Sequence, residues 1–228
     1  MQNPGESTES KCFSHLACFD SLSAEELEYI ATNTRSLYFK SGETICKQGT
    51  YAPYVIFISE GLAKIYLEVT RDKQVSTQLA KPGDFISFSA VFRQDEYSTS
   101  AAALTDVSAC MINREAVTGL LKSNTDFAYK IISRNWQTEN RLLGIISDLA
   151  HKQMAGKLAT AIIYIADFAY PDIFNKLGRK DIAGFANISI ESTVKILKEF
   201  ASEDIISLSK KDIKITNRKA LEKISKAG

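Results

Sequence analysis

The chain has 228 residues, of which 45% are apolar and 24% charged, with a net charge of +1; that is core enough for one large domain or two modest ones and excludes a disordered chain. Its longest apolar stretches, such as Ile162 to Ile165 and Val55 to Ile58, fall far short of the roughly 20 residues that span a bilayer, so neither a transmembrane segment nor a membrane partner is expected. The opening MQNPGESTESK is polar and carries no signal-like apolar run, which points to a cytoplasmic protein.

Charge is spread unevenly. Residues 1–150 hold 14 Lys/Arg against 18 Asp/Glu, a net of −4, whereas 151–228 hold 14 against 9, a net of +5. The positive charge lies where a nucleic-acid partner would need it, although ordinary solvated domains carry as much. Cys12, Cys18, Cys46 and Cys110 are too scattered for a disulfide framework and are expected to be thiols in a reducing compartment.

From about Leu37 to Ile112 the pattern is short apolar or alternating runs broken by glycine: YFKSGETICKQG, YVIFISEGLAKIYLEV, STQLAKPGDFISF and SAAALTDVSACMI. Runs of this length at this spacing predict an antiparallel barrel or jelly roll of eight strands. Within it, Lys81-Pro82-Gly83-Asp84 fits a type II turn, because proline presets φ at the first central position and glycine accepts the positive φ of the second.

Beyond the barrel the period lengthens to about 3.6. Ser123 or Asn124 can cap a helix with Asp126 in its first turn, and Ile131, Asn135, Thr138, Leu142, Ile145 and Leu149 recur at spacings of four and three. The neighbouring phase, Ile132, Trp136, Leu143 and Ile146, widens the stripe. One small barrel cannot cover a stripe of about seven turns, so a second copy is the expected cover, in a parallel homodimer. A helix lying on its own barrel is the alternative.

The last segment reads as a helix from about Gln153 to Ala169, stopped near Pro171, then Arg179 to Ala186, Ser189 to Ser202, and strands Ile205 to Leu208 and Ile213 to Thr216. That order is a winged helix-turn-helix. In RKDIAGFANISIESTVKILKEF, Ile182 and Ala183 pack the first helix, Asn187-Ile188 turn the chain, and Ser189 caps a second helix whose Thr193, Ile196, Leu197 and Phe200 form a core face. The opposite face presents Ile190, Glu191, Val194, Lys195 and Lys198. Glu191 can accept from a cytosine amino group, Lys195 can reach guanine or phosphate, and Ile190 can meet a thymine methyl. On an isolated helix Glu191 and Lys195 would be only an i,i+4 pair. Arg179, Lys180, Lys210 and Lys211 suit phosphates, and solvated lysines look the same in sequence.

FKSGETICKQG, VIFISEGLAKIY, KPGDFISFSAVF, the long helix and RKDIAGFANISIESTVKILKEFASEDII together resemble the Crp/Fnr superfamily of bacterial regulators over about residues 13–225. The resemblance implies an α+β chain. Its parts would be a cyclic-nucleotide-binding-like jelly-roll barrel with a flanking helix (1–122), a dimerisation helix (123–150) and a winged helix-turn-helix (151–228), hinged near Ala150 to Gln153. It also implies a homodimer on a pseudopalindromic operator that contacts RNA polymerase, with Glu191 as the central base reader and Lys195 in place of a DNA-contacting arginine.

Departures from the family pattern fall in the effector region, Phe85, Ser87, Phe88, Ser89, Tyr97, Ser98 and Thr99. Cyclic-nucleotide-binding members carry Gly-Glu where this chain has Ser87-Phe88, and an arginine with its serine where it has Tyr97-Ser98. A buried cyclic phosphate without its guanidinium would be left unpaired, so cAMP is not expected and the effector is unknown. Cys12, Cys18 and Cys110 align with three of the four iron–sulfur ligands of oxygen-sensing members, but Glu9 stands in the fourth place. Three unremarkable thiols are the favoured reading over a cluster. His15 and His151 belong to no ligand or nucleophile–base spacing, and no catalytic signature is present, so no enzyme is expected. A small-ligand or redox sensor acting through a protein partner is the competing reading.

Overall fold

A computed structural model describes residues 19–70, 73–86, 88, 96–210 and 212–227, with the side chains of Arg134, Asn135 and Gln137 left aside. The chain forms two compact units, one of the residues up to Glu68 with Leu79–Asn140, the other of Val69–Gln78 with Arg141 onward.

In the first unit a 3-10 turn at Phe19–Ser21 leads into α1 (Ala24–Thr32). A capping box starts this helix: the Ser23 hydroxyl accepts from the Glu26 N–H at 3.2 Å while the Glu26 carboxylate accepts from the Ser23 N–H at 2.8 Å. Eight strands follow: β1 (Thr34–Phe39), β2 (Thr44–Cys46), β3 (Tyr54–Glu60), β4 (Ala63–Thr70), β5 (Lys73–Ala80), β6 (Phe85–Ile86), β7 (Ser100–Ala103) and β8 (Val107–Asn113). They form two four-stranded sheets, ordered β1-β8-β3-β6 and β2-β7-β4-β5, which is the expected jelly-roll barrel.

The run Val55-Ile56-Phe57-Ile58 lacks polar alternation because both faces of β3 are buried. Val55 and Phe57 pack with Ile30, Cys110, Ile112, Leu120 and Phe127, while Ile56 and Ile58 enter a second cluster with Ile45, Ile65, Ile86, Tyr97 and Met111. Period-two geometry sends alternate residues into different cores. The turn at Lys81–Asp84 is closed by the Asp84 N–H donating to the Lys81 carbonyl at 2.9 Å, with φ of 98° at Gly83, as a type II turn requires.

Helix α2 (Arg114–Ser123) precedes α3 (Thr125–His151), a helix of 27 residues, about 40 Å long at 1.5 Å per residue. Asn124 caps it, its Oδ1 accepting from the Phe127 N–H at 2.9 Å. The apolar stripe splits in a way that the spacing alone does not give. Ile131 is buried beside Phe127 in its own unit's core, whereas Tyr129, Ile132, Trp136, Leu143 and Ile146 are 57–74% exposed. Leu142 and Leu149 of the other phase are exposed as well, at 39% and 38%, so both phases face outward beyond the first turns.

The second unit comprises α4 (Met154–Asp167), α5 (Ile173–Lys176), α6 (Arg179–Ala186), α7 (Ile190–Ser202), the antiparallel pair β9 (Ile206–Ser209) and β10 (Asp212–Ile215), and α8 (Arg218–Ala227). Helix α3 ends at His151, and extended backbone at Gln153 opens α4. The strand pair sits one residue away from its expected bounds, so Asp212 belongs to β10 and not to the tip. Neither α5 nor α8 was expected. Helix α8 packs on α4, and Arg218 holds Asp167 with two bonds of 2.7 and 2.8 Å. Ser76 and Thr77 of β5 are buried in this unit; a Cβ built at Gly184 of α6 would lie 2.6 Å from the Ser76 Oγ, so a side chain there would require the Ser76 hydroxyl to turn away. Among the described helices none is long and apolar enough to cross a membrane.

Gly61 gives a sharp test of barrel closure. Its φ is +89°, and a Cβ there would overlap the Asp106 carbonyl, whereas Gly42, at φ +92°, has open space around it. Gly42→Ala is expected to cost about 1–2 kcal/mol for the left-handed backbone alone, and Gly61→Ala clearly more, in urea unfolding curves.

Candidate nucleic-acid interface

Helix α6 opens at Gly178, whose N–H donates to Asp181 Oδ2 at 2.8 Å, and ends at Asn187, which takes φ 51°. Asparagine enters that left-handed region more readily than most residues, so the chain can turn sharply there, and the Ile188 N–H closes back on the Ala183 carbonyl at 3.2 Å. Ser189 then caps α7, its Oγ accepting from the Ser192 N–H at 3.0 Å.

Along α7, Thr193, Ile196, Leu197 and Phe200 are buried. Thr193 is a polar residue within this face, and its hydroxyl is satisfied by the Ser189 carbonyl at 2.9 Å. Truncating a buried leucine such as Leu197 costs about 2–5 kcal/mol, so this face fixes the helix's roll. The roll leaves Ile190, Glu191, Lys195 and Lys198 exposed and Val194 half-buried. Lys195 does not pair with Glu191; it leans toward Glu199 at 3.9 Å, between two exposed side chains, a contact worth little. The Glu191 backbone N–H and the Ser189 hydroxyl hold the Glu191 carboxyl below the usual carboxylate range. At neutral pH it is an acceptor at the N-terminal end of an exposed helix face.

The wing flanks this face. Strands β9 and β10 pair up to Ser209 opposite Asp212, with exposed Lys210 at the tip at φ 52°; Lys211 lies outside the described residues. Lys180 is exposed at the start of α6. Arg179 is only partly exposed, and its Nη2 donates to the Lys210 carbonyl at 3.3 Å.

The effector residues are less coherent. Phe85 packs edge-on to Phe88 at 5.4 Å between ring centroids and lies beside Phe57 at 5.5 Å, in the cluster below α2 and α3. Tyr97 belongs to the other cluster. Its hydroxyl donates to the Tyr54 carbonyl at 3.2 Å, and burial, helped by nearby Cys46, pushes the phenol up to about 12. Ser98 is exposed and Thr99 half-buried, while Ser87 and Ser89 lie outside the described residues. The structure thus divides the expected set between two cores.

Cys12 and Cys18 also lie outside the described residues. Cys110 is wholly buried and disulfide-bonded, which corrects the expectation of a thiol there. Cys46 is a buried free thiol. Among the described residues no group of three or more His, Cys, Asp or Glu is placed to hold a metal ion.

Sequence reasoning missed Arg141. It stacks over the Tyr164 ring at 3.4 Å and donates from Nε to the Thr77 carbonyl at 3.3 Å, tying α3, α4 and β5 within the second unit. Burial lowers its pKa, opposed by Tyr164 and Asp148. The only signal was a lone arginine beside an apolar stripe, and local periodicity gives such a residue no partner.

Two family models match the chain, the cyclic nucleotide-binding domain over residues 36–124 and the Crp-like helix-turn-helix domain over 156–224. The chain is 21% identical over 201 residues, 84% of it and 90% of the relative, to a CRP-like cAMP-activated global transcriptional regulator of Mycobacterium tuberculosis. Its fold is similar to that of FixK2 from Bradyrhizobium japonicum, with TM-score 0.74, 16% identity and coverage of 84% of this chain and 96% of that one. It is similar also to a Crp/Fnr-family transcriptional regulator from Thermus thermophilus, with TM-score 0.66, 22% identity and coverage of 84% and 98%.

Proposed function

This chain belongs to the Crp/Fnr superfamily, whose members are transcription regulators and not enzymes, and from that premise we propose that it acts as a homodimer reading a two-fold pseudopalindromic operator through α7. One observation carries the reading: the buried face of α7 turns Ile190, Glu191, Lys195 and Lys198 outward together. Ionised Glu191 selects cytosine through its amino group, Lys195 reaches guanine or phosphate, and Ile190 meets a thymine methyl. Lys180, Lys210 and Lys211 meet phosphates, which orient the protein without reading sequence. A charged face of this kind favours DNA over a protein partner, which would call for a broader apolar surface.

Dimerisation runs through the exposed seam of α3, Tyr129, Ile132, Trp136, Leu143 and Ile146, whose spacings of three, four, seven and three fit a helix paired with its own copy. Contact with RNA polymerase carries over from the family. The proposed effector is one other than cAMP: the place of the family arginine holds Tyr97, a neutral phenol bonded to a backbone carbonyl, which cannot pair with a cyclic phosphate as a guanidinium does. The cytoplasm suits such a regulator.

The reading is tested by measuring affinity for pools of duplexes with half-sites about one helical turn apart, across a salt series. Wild type is expected to select one sequence with steep salt dependence, and Glu191→Ala to lose about 1–3 kcal/mol of discrimination at one base pair per half-site. Binding indifferent to sequence and to Glu191→Ala would overturn it and favour a protein partner. Ile146→Glu is expected to give a folded monomer in sedimentation analysis. Saturating cAMP is expected to leave the melting temperature unmoved, where a true ligand at a hundredfold excess over its Kd adds about 2.7 kcal/mol.

A further inference from the structure

Building on the regulator reading, we infer that Arg179 acts as a positioning residue that fastens the wing tip through its bond to Lys210, and that it is not a phosphate contact. The wing is a two-residue connection, since β9 and β10 remain paired to Ser209 opposite Asp212. Tight connections of this kind twist the backbone to positive φ and favour asparagine or glycine. Here a lysine stands at the first central position with φ 52°, in a region that a side chain with a Cβ enters at a cost. Such a conformation persists only where its surroundings impose it.

Arg179 braces the tip from α6. It stands at the helix's first residue, 31 positions away in sequence, and Nη2 donates to the Lys210 carbonyl at 3.3 Å. That bond fixes the tip's peptide plane while the Lys210 side chain stays exposed. Arg179 as a residue is less exposed than Lys180 beside it. The work is divided: lysines supply charge at the surface, and the arginine supplies geometry. A fork of five donors on a planar group suits a fixed carbonyl better than a flexible ammonium does.

The test is Arg179→Met, read first without DNA. Amide hydrogen exchange across β9 and β10 is expected to speed at least tenfold, with exchange in α4 and α7 unchanged. Operator affinity is expected to fall about tenfold while the slope of log affinity against log salt stays that of wild type, because no phosphate contact is lost. In a Lys210→Gly background, where glycine takes positive φ without strain, Arg179→Met is expected to cost little further affinity. A slope reduced by about 0.9 with unchanged wing exchange would make Arg179 a phosphate contact and overturn the inference. If wild type selects no operator the regulator reading fails, and the exchange measurement alone still decides whether Arg179 holds the wing.

Discussion

Burial of Thr193, Ile196, Leu197 and Phe200 along one side of α7 is the interaction from which the outward face of this helix follows. A helix of 13 residues has one rotational freedom that matters, its roll about its own axis. Packing four side chains spaced at three and four residues removes that freedom, since any other roll would expose apolar area worth about 25 cal/mol per Å². With the roll fixed, Glu191, Lys195 and Lys198 face outward by geometry. The Ser189 cap and left-handed Asn187 set where the helix begins and the angle at which it leaves α6, so the face is fixed in place as well as in direction.

The same logic is applied twice in the barrel, with opposite consequences for sequence. Strand β3 contributes to two cores at once, and its residues Val55 to Ile58 are accordingly all apolar. Recognition of this strand rests on length and β-branching, because alternation is absent. Helix α3 shows a third arrangement. Its first turns spend Phe127 and Ile131 on the unit they grow from, and farther along Trp136, Leu143 and Ile146 remain exposed. Both phases, Leu142 and Leu149 as well as Trp136, Leu143 and Ile146, stay exposed there, because the unit's own core takes only the first turns.

The polar details that organise the second unit are long-range in sequence. Arg141 reaches the Thr77 carbonyl 64 positions away, and Arg179 reaches Lys210 across 31. Each arginine was visible in the chain only as a charge. Effector residues show the converse: Phe85 and Tyr97 sit near each other in sequence, yet pack into different cores. A family template brings them together on paper, and in this chain an aromatic cluster around Phe57 and Phe85 takes one of them away.

Local chemistry was enough to determine the barrel with its type II turn at Lys81 to Asp84, the capped long helix, the helix-turn-helix and the face that α7 shows to solvent. Each of these depends on contacts within a turn or two, where period, cap and glycine act directly. Tertiary structure alone decided how far along α3 the stripe is buried, how the Val69–Gln78 segment joins the second unit, the docking of α8 on α4, and the state of Cys110. Those outcomes depend on which distant surfaces compete for the same side chains, and a linear pattern does not record that competition.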